Sequence, residues 1–230
     1  METLKAVTEL EPEHVSVYSL IIEEGTPFYQ LYHEEAEERA RTGEGQAHLC
    51  SEDEERRMYH DAEKFLAERG YGRYEISNYA KPGRECKHNM VYWQRGWYLG
   101  VGLGAASLMW DAPERTVLSH KEISDVKAYG VRFSVTSDLQ DYLAGNHAPR
   151  DVEELSLEDA MSEFAFLGLR LKEGIDTDAF AESFGVSFEQ VYGETVEKLL
   201  QQDLVLMKKN RLKLSEKGTD VANIVFAEFL

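Results

Sequence analysis

The chain has 230 residues, room for one large or two modest domains, and 43% of them are hydrophobic, with 10 Phe, 12 Tyr and 3 Trp to build a core. Its formal net charge of −18 argues against nucleic acid or an anionic membrane as a general partner, because both select clustered Lys and Arg. Two cysteines, Cys50 and Cys86, are too few for a disulfide framework; with no signal peptide and no apolar run near about 18 residues, the sequence reads as soluble and cytoplasmic, without a transmembrane segment.

Leu4, Val7 and Leu10 repeat at helical spacing with no N-cap residue before them, so the chain begins at the edge of a helix or inside it. HVSVYSLII (residues 14–22) starts with alternation and ends in a continuous apolar run, the pattern of a strand buried on both faces. A helix followed by such a strand predicts the tail of a β/α repeat and fits a parallel barrel or sheet. Gly25, Thr26 and Pro27 make a turn, and the charged residues 34–57 read as a solvated helix face and loop. Ser51 and Glu54 form a capping box; Met58, Ala62, Phe65 and Leu66 give the next helix its buried stripe, and Gly70 stops it. RYEISNYA (residues 73–80) alternates as one strand, and Pro82 and Gly83 turn the chain. Beyond it lie a strand candidate at TVLSH (116–120) and a helix candidate at SDVKAYGVRF (124–133).

From about residue 151 the order is helix (156–172), short helix (176–184), helix (187–202), hairpin and final helix (215–230). Three helices and a two-stranded wing predict a winged-helix-like domain at 151–230, after a first domain at 1–150. The third helix would be the DNA reader, but it sets Glu189, Glu194 and Glu197 against Lys198 alone. Such a face repels phosphate, so packing or regulation is its expected role.

The sequence holds no phosphate-binding loop, no nucleophile elbow and no zinc-protease helix. GVGLGA (100–105) imitates a dinucleotide fingerprint only loosely, since its glycines fall at every second position with no amphipathic helix behind them. In a strand they would share one bare face, which admits a neighbouring backbone, the commoner cause, or a flat ligand. Just before it, Cys86 and His88 resemble half a metal site, but no second pair at suitable spacing completes a zinc set. A single imidazole can still be an axial ligand for haem iron, and Tyr92 and Trp93 would add aromatic surface for a porphyrin. A hydrogen-bonded structural histidine is the commoner role; the spacing leaves both open.

HVSVYSLIIEEGTPFY, YEISNYAKPGRECKHNMVYW and YLGVGLGAAS, in that order, resemble the oxygen-independent coproporphyrinogen III oxidase family, and most nearly its HemW haem-chaperone branch. MSEFAFLGLRLKEGID and the winged tail resemble that family's C-terminal domain, so the likeness covers nearly the whole chain. Its most specific motif is H-N-x-x-Y-W, standing here as His88, Asn89, Tyr92 and Trp93. The resemblance implies an α/β fold: the C-terminal remainder of a radical S-adenosylmethionine partial β/α barrel with extra strands, then the winged-helix-like domain. It also implies a [4Fe–4S] cluster and S-adenosylmethionine in the full-length protein, held through a C-x-x-x-C-x-x-C triad. That triad is absent, and Cys50 and Cys86, 36 residues apart, cannot replace it. The chain therefore reads as a C-terminal portion expected neither to assemble the cluster nor to cleave the cofactor.

By the same resemblance the motif implies haem binding, with His88 as candidate axial ligand to the iron, Asn89 orienting the site, and Tyr92 and Trp93 flanking the ring. Many members carry a histidine in the glycine segment where this chain has Ala106; a site using it would be altered here. His120 and His147 are weaker candidates for a second ligand. Three readings follow: a HemW-like chaperone that binds haem and passes it to an accepting protein, a true oxidase turning propionates into vinyl groups, or a scaffold in which His88 only holds a strand junction. The strong acidity counts mildly against the oxidase, whose tetracarboxylate substrate prefers a basic cleft.

Overall fold

A computed structural model of the protein describes residues 1–109 and 129–230. The chain divides into two units, Met1–Cys86 and Lys87–Leu230. In the first, α1 (Glu2–Glu9) is followed by β1 (His14–Ser16), α2 (Pro27–Thr42), α3 (Glu52–Ala67), β2 (Gly72–Arg73) and β3 (Asn78–Ala80). Val15, Phe65, Leu66, Tyr71 and Tyr79 make its core, with Leu4, Val7 and Val17 packed against them. Each such side chain contributes about 1.5–3 kcal/mol when fully buried.

The helices obey their sequence signals. Thr26 accepts the N–H of Tyr29 at the start of α2, Pro27 stands in its first turn, and Gly43 closes it in the left-handed conformation. The Ser51–Glu54 capping box opens α3, which buries Ala62, Phe65 and Leu66. Met58 departs from the expected stripe and is exposed. Between α2 and α3 the chain is tied back onto α2: Arg39 donates to the Cys50 carbonyl and pairs with Glu55, while Glu35 accepts from both the backbone and the ring of His48.

Two strand expectations are corrected. The apolar run 14–22 is strand only from His14 to Ser16, with one further backbone bond from the Val17 N–H to the Ser77 carbonyl, and Tyr18 and Ile21 are 68% and 72% exposed. The cause is its partner: β1 pairs with β3 in the register Ser16↔Asn78, and before Asn78 the partner chain turns away. That turn is the second correction, because residues 73–80 are a hairpin of β2 and β3 rather than one strand. Glu75, fully buried, accepts the Ser77 N–H at 2.8 Å and the Asn78 side-chain amide at 2.5 Å, folding the segment on itself. The sheet order is β1-β3-β2 and every strand pair among the described residues is antiparallel, where a β/α repeat predicts parallel neighbours. The hairpin supplies the extra reversal that sets β3 against β1.

The second unit runs α4 (Lys87–Trp93), β4 (Ala106–Met109), β5 (Val131–Ser134), α5 (Leu139–Leu143), β6 (Arg150–Glu154), α6 (Leu157–Gly168), β7 (Ile175–Asp176), α7 (Thr177–Phe184), α8 (Phe188–Gln201), β8 (Val205–Lys208), β9 (Arg211–Leu214), α9 (Glu216–Asp220) and α10 (Ala222–Ala227). Its sheets are β4-β5-β6 and β7-β9-β8. The strand candidate at 116–120, with His120, lies outside the described residues. So does most of the helix candidate at 124–133; its end, Val131 to Phe133, is strand instead, with Val131 and Phe133 buried on one face.

The helix–helix–helix–hairpin order expected after residue 151 is present. Ser156 with Asp159, and Ser187 with Gln190, box the starts of α6 and α8, and Phe164, Phe180, Phe188, Tyr192 and Phe229 pack ring against ring. The expected final helix is two pieces, broken at Val221, which lets Ala222, Val225 and Phe226 turn into the core. No helix among the described residues is long and apolar enough to cross a membrane.

Polar chemistry joins the sheet to the helices at Glu163 of α6. It is 7% exposed; its Oε2 accepts from Arg95 Nε at 3.0 Å and its Oε1 pairs with Arg132 of β5. Burial pushes the Arg95 guanidinium below its ordinary value, against the pull of the carboxylate. Removing the shared carboxylate strands a buried cation, so Glu163→Ala is expected to lower unfolding stability by about 3–5 kcal/mol, measured by urea titration of tryptophan fluorescence.

Candidate functional site

Residues 87–93 form a helix, not the junction of a turn and a strand expected from the sequence. On it the H-N-x-x-Y-W spacing falls on two adjoining faces, because residues four apart stand one above the other. His88 and Tyr92 share the first, their rings edge to face with centroids 4.8 Å apart, and Tyr92 meets Tyr98 in the same way at 4.5 Å. His88 is exposed, and its ring nitrogens have no hydrogen-bond partner among the described residues. Asn89 and Trp93 share the second face. There the Trp93 ring lies under the guanidinium of Arg170, 4.3 Å from its centroid, with the indole N–H buried and unpartnered among the described residues. The structure thus brings His88, Tyr92 and Tyr98 together and turns Trp93 toward the residues that follow α6.

The end of α4 fixes this arrangement. Arg95 N–H donates to the Tyr92 carbonyl at 3.0 Å and Gly96 N–H to the Val91 carbonyl at 2.7 Å, the paired bonds of a Schellman stop. Its left-handed position is usually glycine; here it is Arg95, with φ 53°. The guanidinium explains the departure, since it reaches Glu163 and also donates to the Tyr129 carbonyl.

The glycine segment is a loop, which overturns the expected strand. Its ends are joined by a single bridge between Tyr98 and Leu108, and the Gly100 N–H donates to Ser107 Oγ at 3.0 Å. Of the two causes proposed for the bare glycines, close backbone approach holds at Gly100, where a Cβ would stand 2.2 Å from the Ala106 carbonyl oxygen. Gly102 and Gly104 answer a different need, with φ values of 113° and 67°. The loop leaves Leu99 and Val101 exposed, at 63% and 87%. Ala106, at the start of β4, is also exposed. His147 uses its Nε2 on the Tyr142 carbonyl at 2.9 Å. Cys86 is a half-buried free thiol.

Sequence reasoning missed Tyr98, Arg95 and Arg170. A signal existed for Tyr98, six residues beyond Tyr92, but it stands just before the glycine segment 100–105, which was read as a strand. Arg95 and Arg170 act through partners 68 and 77 residues away, which no local pattern reveals.

The model of the HemN C-terminal domain matches residues 155–221. The chain is 33% identical, over 96% of its length, to "Heme chaperone HemW" of Lactococcus lactis and 32% identical, over 99%, to the protein of that name in Bacillus subtilis. It covers 52% and 54% of those two proteins, about half the length of the curated relatives it matches. A mouse relative, "Radical S-adenosyl methionine domain-containing protein 1, mitochondrial", is 27% identical over 95% of this chain and 46% of its own. Among solved structures, the coproporphyrinogen III oxidase HemN of Escherichia coli, described as a radical SAM enzyme, superposes with a TM-score of 0.66 over 99% of this chain and 50% of its own, at 16% identity. That last likeness is one of fold.

The loop geometry carries its own test. Gly100→Ala drives a methyl group into the Ala106 carbonyl, so it is expected to cost about 1–3 kcal/mol and to raise hydrogen exchange across residues 98–108, read by mass spectrometry.

Proposed function

We propose that this chain, which belongs with the HemN- and HemW-type proteins, is the haem-binding portion of a haem chaperone. The observation that carries the reading is the likeness, at 32–33% identity over nearly the whole chain, to proteins named heme chaperones. The oxidase reading has on its side the HemN C-terminal domain match at residues 155–221 and a fold likeness at 16% identity.

The residues of α4 fit the cargo. A histidine that holds iron porphyrin needs a free lone pair on its imidazole, an apolar surface beside it for the macrocycle and access for a bulky ligand. His88 is exposed and unbonded among the described residues; Tyr92 and Tyr98 continue from it as an aromatic ladder. The exposed Leu99 and Val101 follow directly in the chain. These features favour a ligand role for His88 over a buried structural one. Trp93 acts in this reading as a positioning residue, anchoring α4 through Arg170 rather than touching the ring. Asn89 lies beside it, half exposed. An exposed axial ligand also suits transfer, because a cargo held at the surface can pass to an accepting protein without the fold opening.

The likeness to radical SAM proteins carries a cluster and S-adenosylmethionine into the reading of the full-length protein only. The test uses this chain: a haem titration followed at the Soret band. Wild type is expected to give a saturable shift; His88→Ala is expected to lose it or to bind about tenfold more weakly, the equivalent of about 1.4 kcal/mol. An unchanged titration in the variant would remove His88 from the site, and no binding by wild type would remove the reading for this portion.

A further inference from the structure

The first unit contains a mostly apolar cleft of about 490 Å³, walled by Val17, Leu49, Met58 and Ala62 and lined also by His48, Asp61 and the paired Arg39 and Glu55. Its size is that of small-ligand sites, roughly 300–1,000 Å³. The floor is set by folding, since Leu49 and Ala62 are buried; the margin is open, since Met58 and Tyr18 are not. Apolar surface is thus left facing a concavity, where packing ordinarily closes it.

The histidine at the margin is held in a particular way. Its backbone N–H donates to Glu35 Oε2 at 2.9 Å, and its ring Nδ1 lies 2.7 Å from Glu35 Oε1. A carboxylate only accepts, so the proton of the neutral ring sits on Nδ1 and the lone pair is left on Nε2. Nε2 has no partner among the described residues. The Tyr32 ring, 5.2 Å away centroid to centroid, steadies the imidazole from the side. A carboxylate on one ring nitrogen and a free lone pair on the other is the arrangement that orients metal-ligating histidines and raises their basicity.

We propose that this cleft is an iron–porphyrin site, distinct from His88, in which the macrocycle lies against Val17, Leu49 and Met58 and His48 Nε2 is an axial ligand. The ligand class rests on the haem reading above; the assignment of the iron to His48 does not. Nothing in the spacing of the sequence pointed here, because Glu35 and His48 are 13 residues apart across a turn.

The test titrates hemin into wild type and into His48→Ala, Glu35→Gln and His88→Ala, following the Soret band and the stoichiometry, with metal-free protoporphyrin as a second probe. His48→Ala is expected to abolish one Soret component that His88→Ala retains, while metal-free protoporphyrin still binds. Glu35→Gln, which keeps the side chain's shape, is expected to weaken that component about 10–100-fold. Should His48→Ala fail to fold, by circular dichroism, Glu35→Gln carries the test alone. A component that vanishes in His48→Ala but survives intact in His88→Ala supports this site whether or not His88 binds iron. Full binding retained in His48→Ala or, where that variant does not fold, in Glu35→Gln, or all binding lost in His88→Ala, overturns the site and leaves the His88 reading standing. No hemin bound by wild type overturns both.

Discussion

One buried carboxylate organises the second unit. Glu163 receives Arg95 from the end of α4 and Arg132 from β5, so a helix stop, a sheet and α6 meet on two oxygen atoms. A pair of this kind adds little net stability compared with a well-packed apolar substitute. What it contributes is position. Arg95 must take a left-handed backbone conformation to reach it, and that same conformation ends the helix that presents His88 and Tyr92. The orientation of the motif therefore depends on a residue outside the motif.

The two histidines of interest are made available by opposite means. His88 is free because its helix face leaves it in solvent, with only an aromatic edge beside it. His48 sits in a loop and owes its fixed orientation to Glu35, on the preceding helix. In the proposed reading, the first would draw affinity from surrounding apolar surface, and the second would bring an oriented nitrogen to a cleft already formed. On the proposed haem-chaperone reading, unequal affinities would serve a cargo that must be accepted and also released.

Much of the fold was legible in the sequence because local chemistry wrote it. The capping boxes at Ser51, Ser156 and Ser187 name their helix starts, and the hairpin after α8 sits where two short apolar runs flank a polar turn. The strand readings that failed share one cause: an alternating or apolar run was taken as a strand before its partner was known. HVSVYSLII could not extend past the residue where β3 runs out, RYEISNYA was folded by the buried Glu75, and the glycine segment was pulled into a loop by Ser107 and the Ala106 carbonyl. The site was half legible. H-N-x-x-Y-W singled out the residues that form α4 but was read as the junction of a turn and a strand; its division into two faces needed the helix, and the weight carried by Arg95 and Arg170 comes from residues far along the chain.

The left-handed arginine has an evolutionary consequence. Glycine at position 95 would satisfy the helix stop at no steric cost, so an arginine persists there only while a carboxylate waits at position 163. Among relatives the two positions are expected to change as a couple: glycine or asparagine at 95 should accompany a neutral residue at 163, and sequences with one change but not the other should be scarce. The pair is a signature of this helix's anchoring that can be sought in genomes independently of any haem motif.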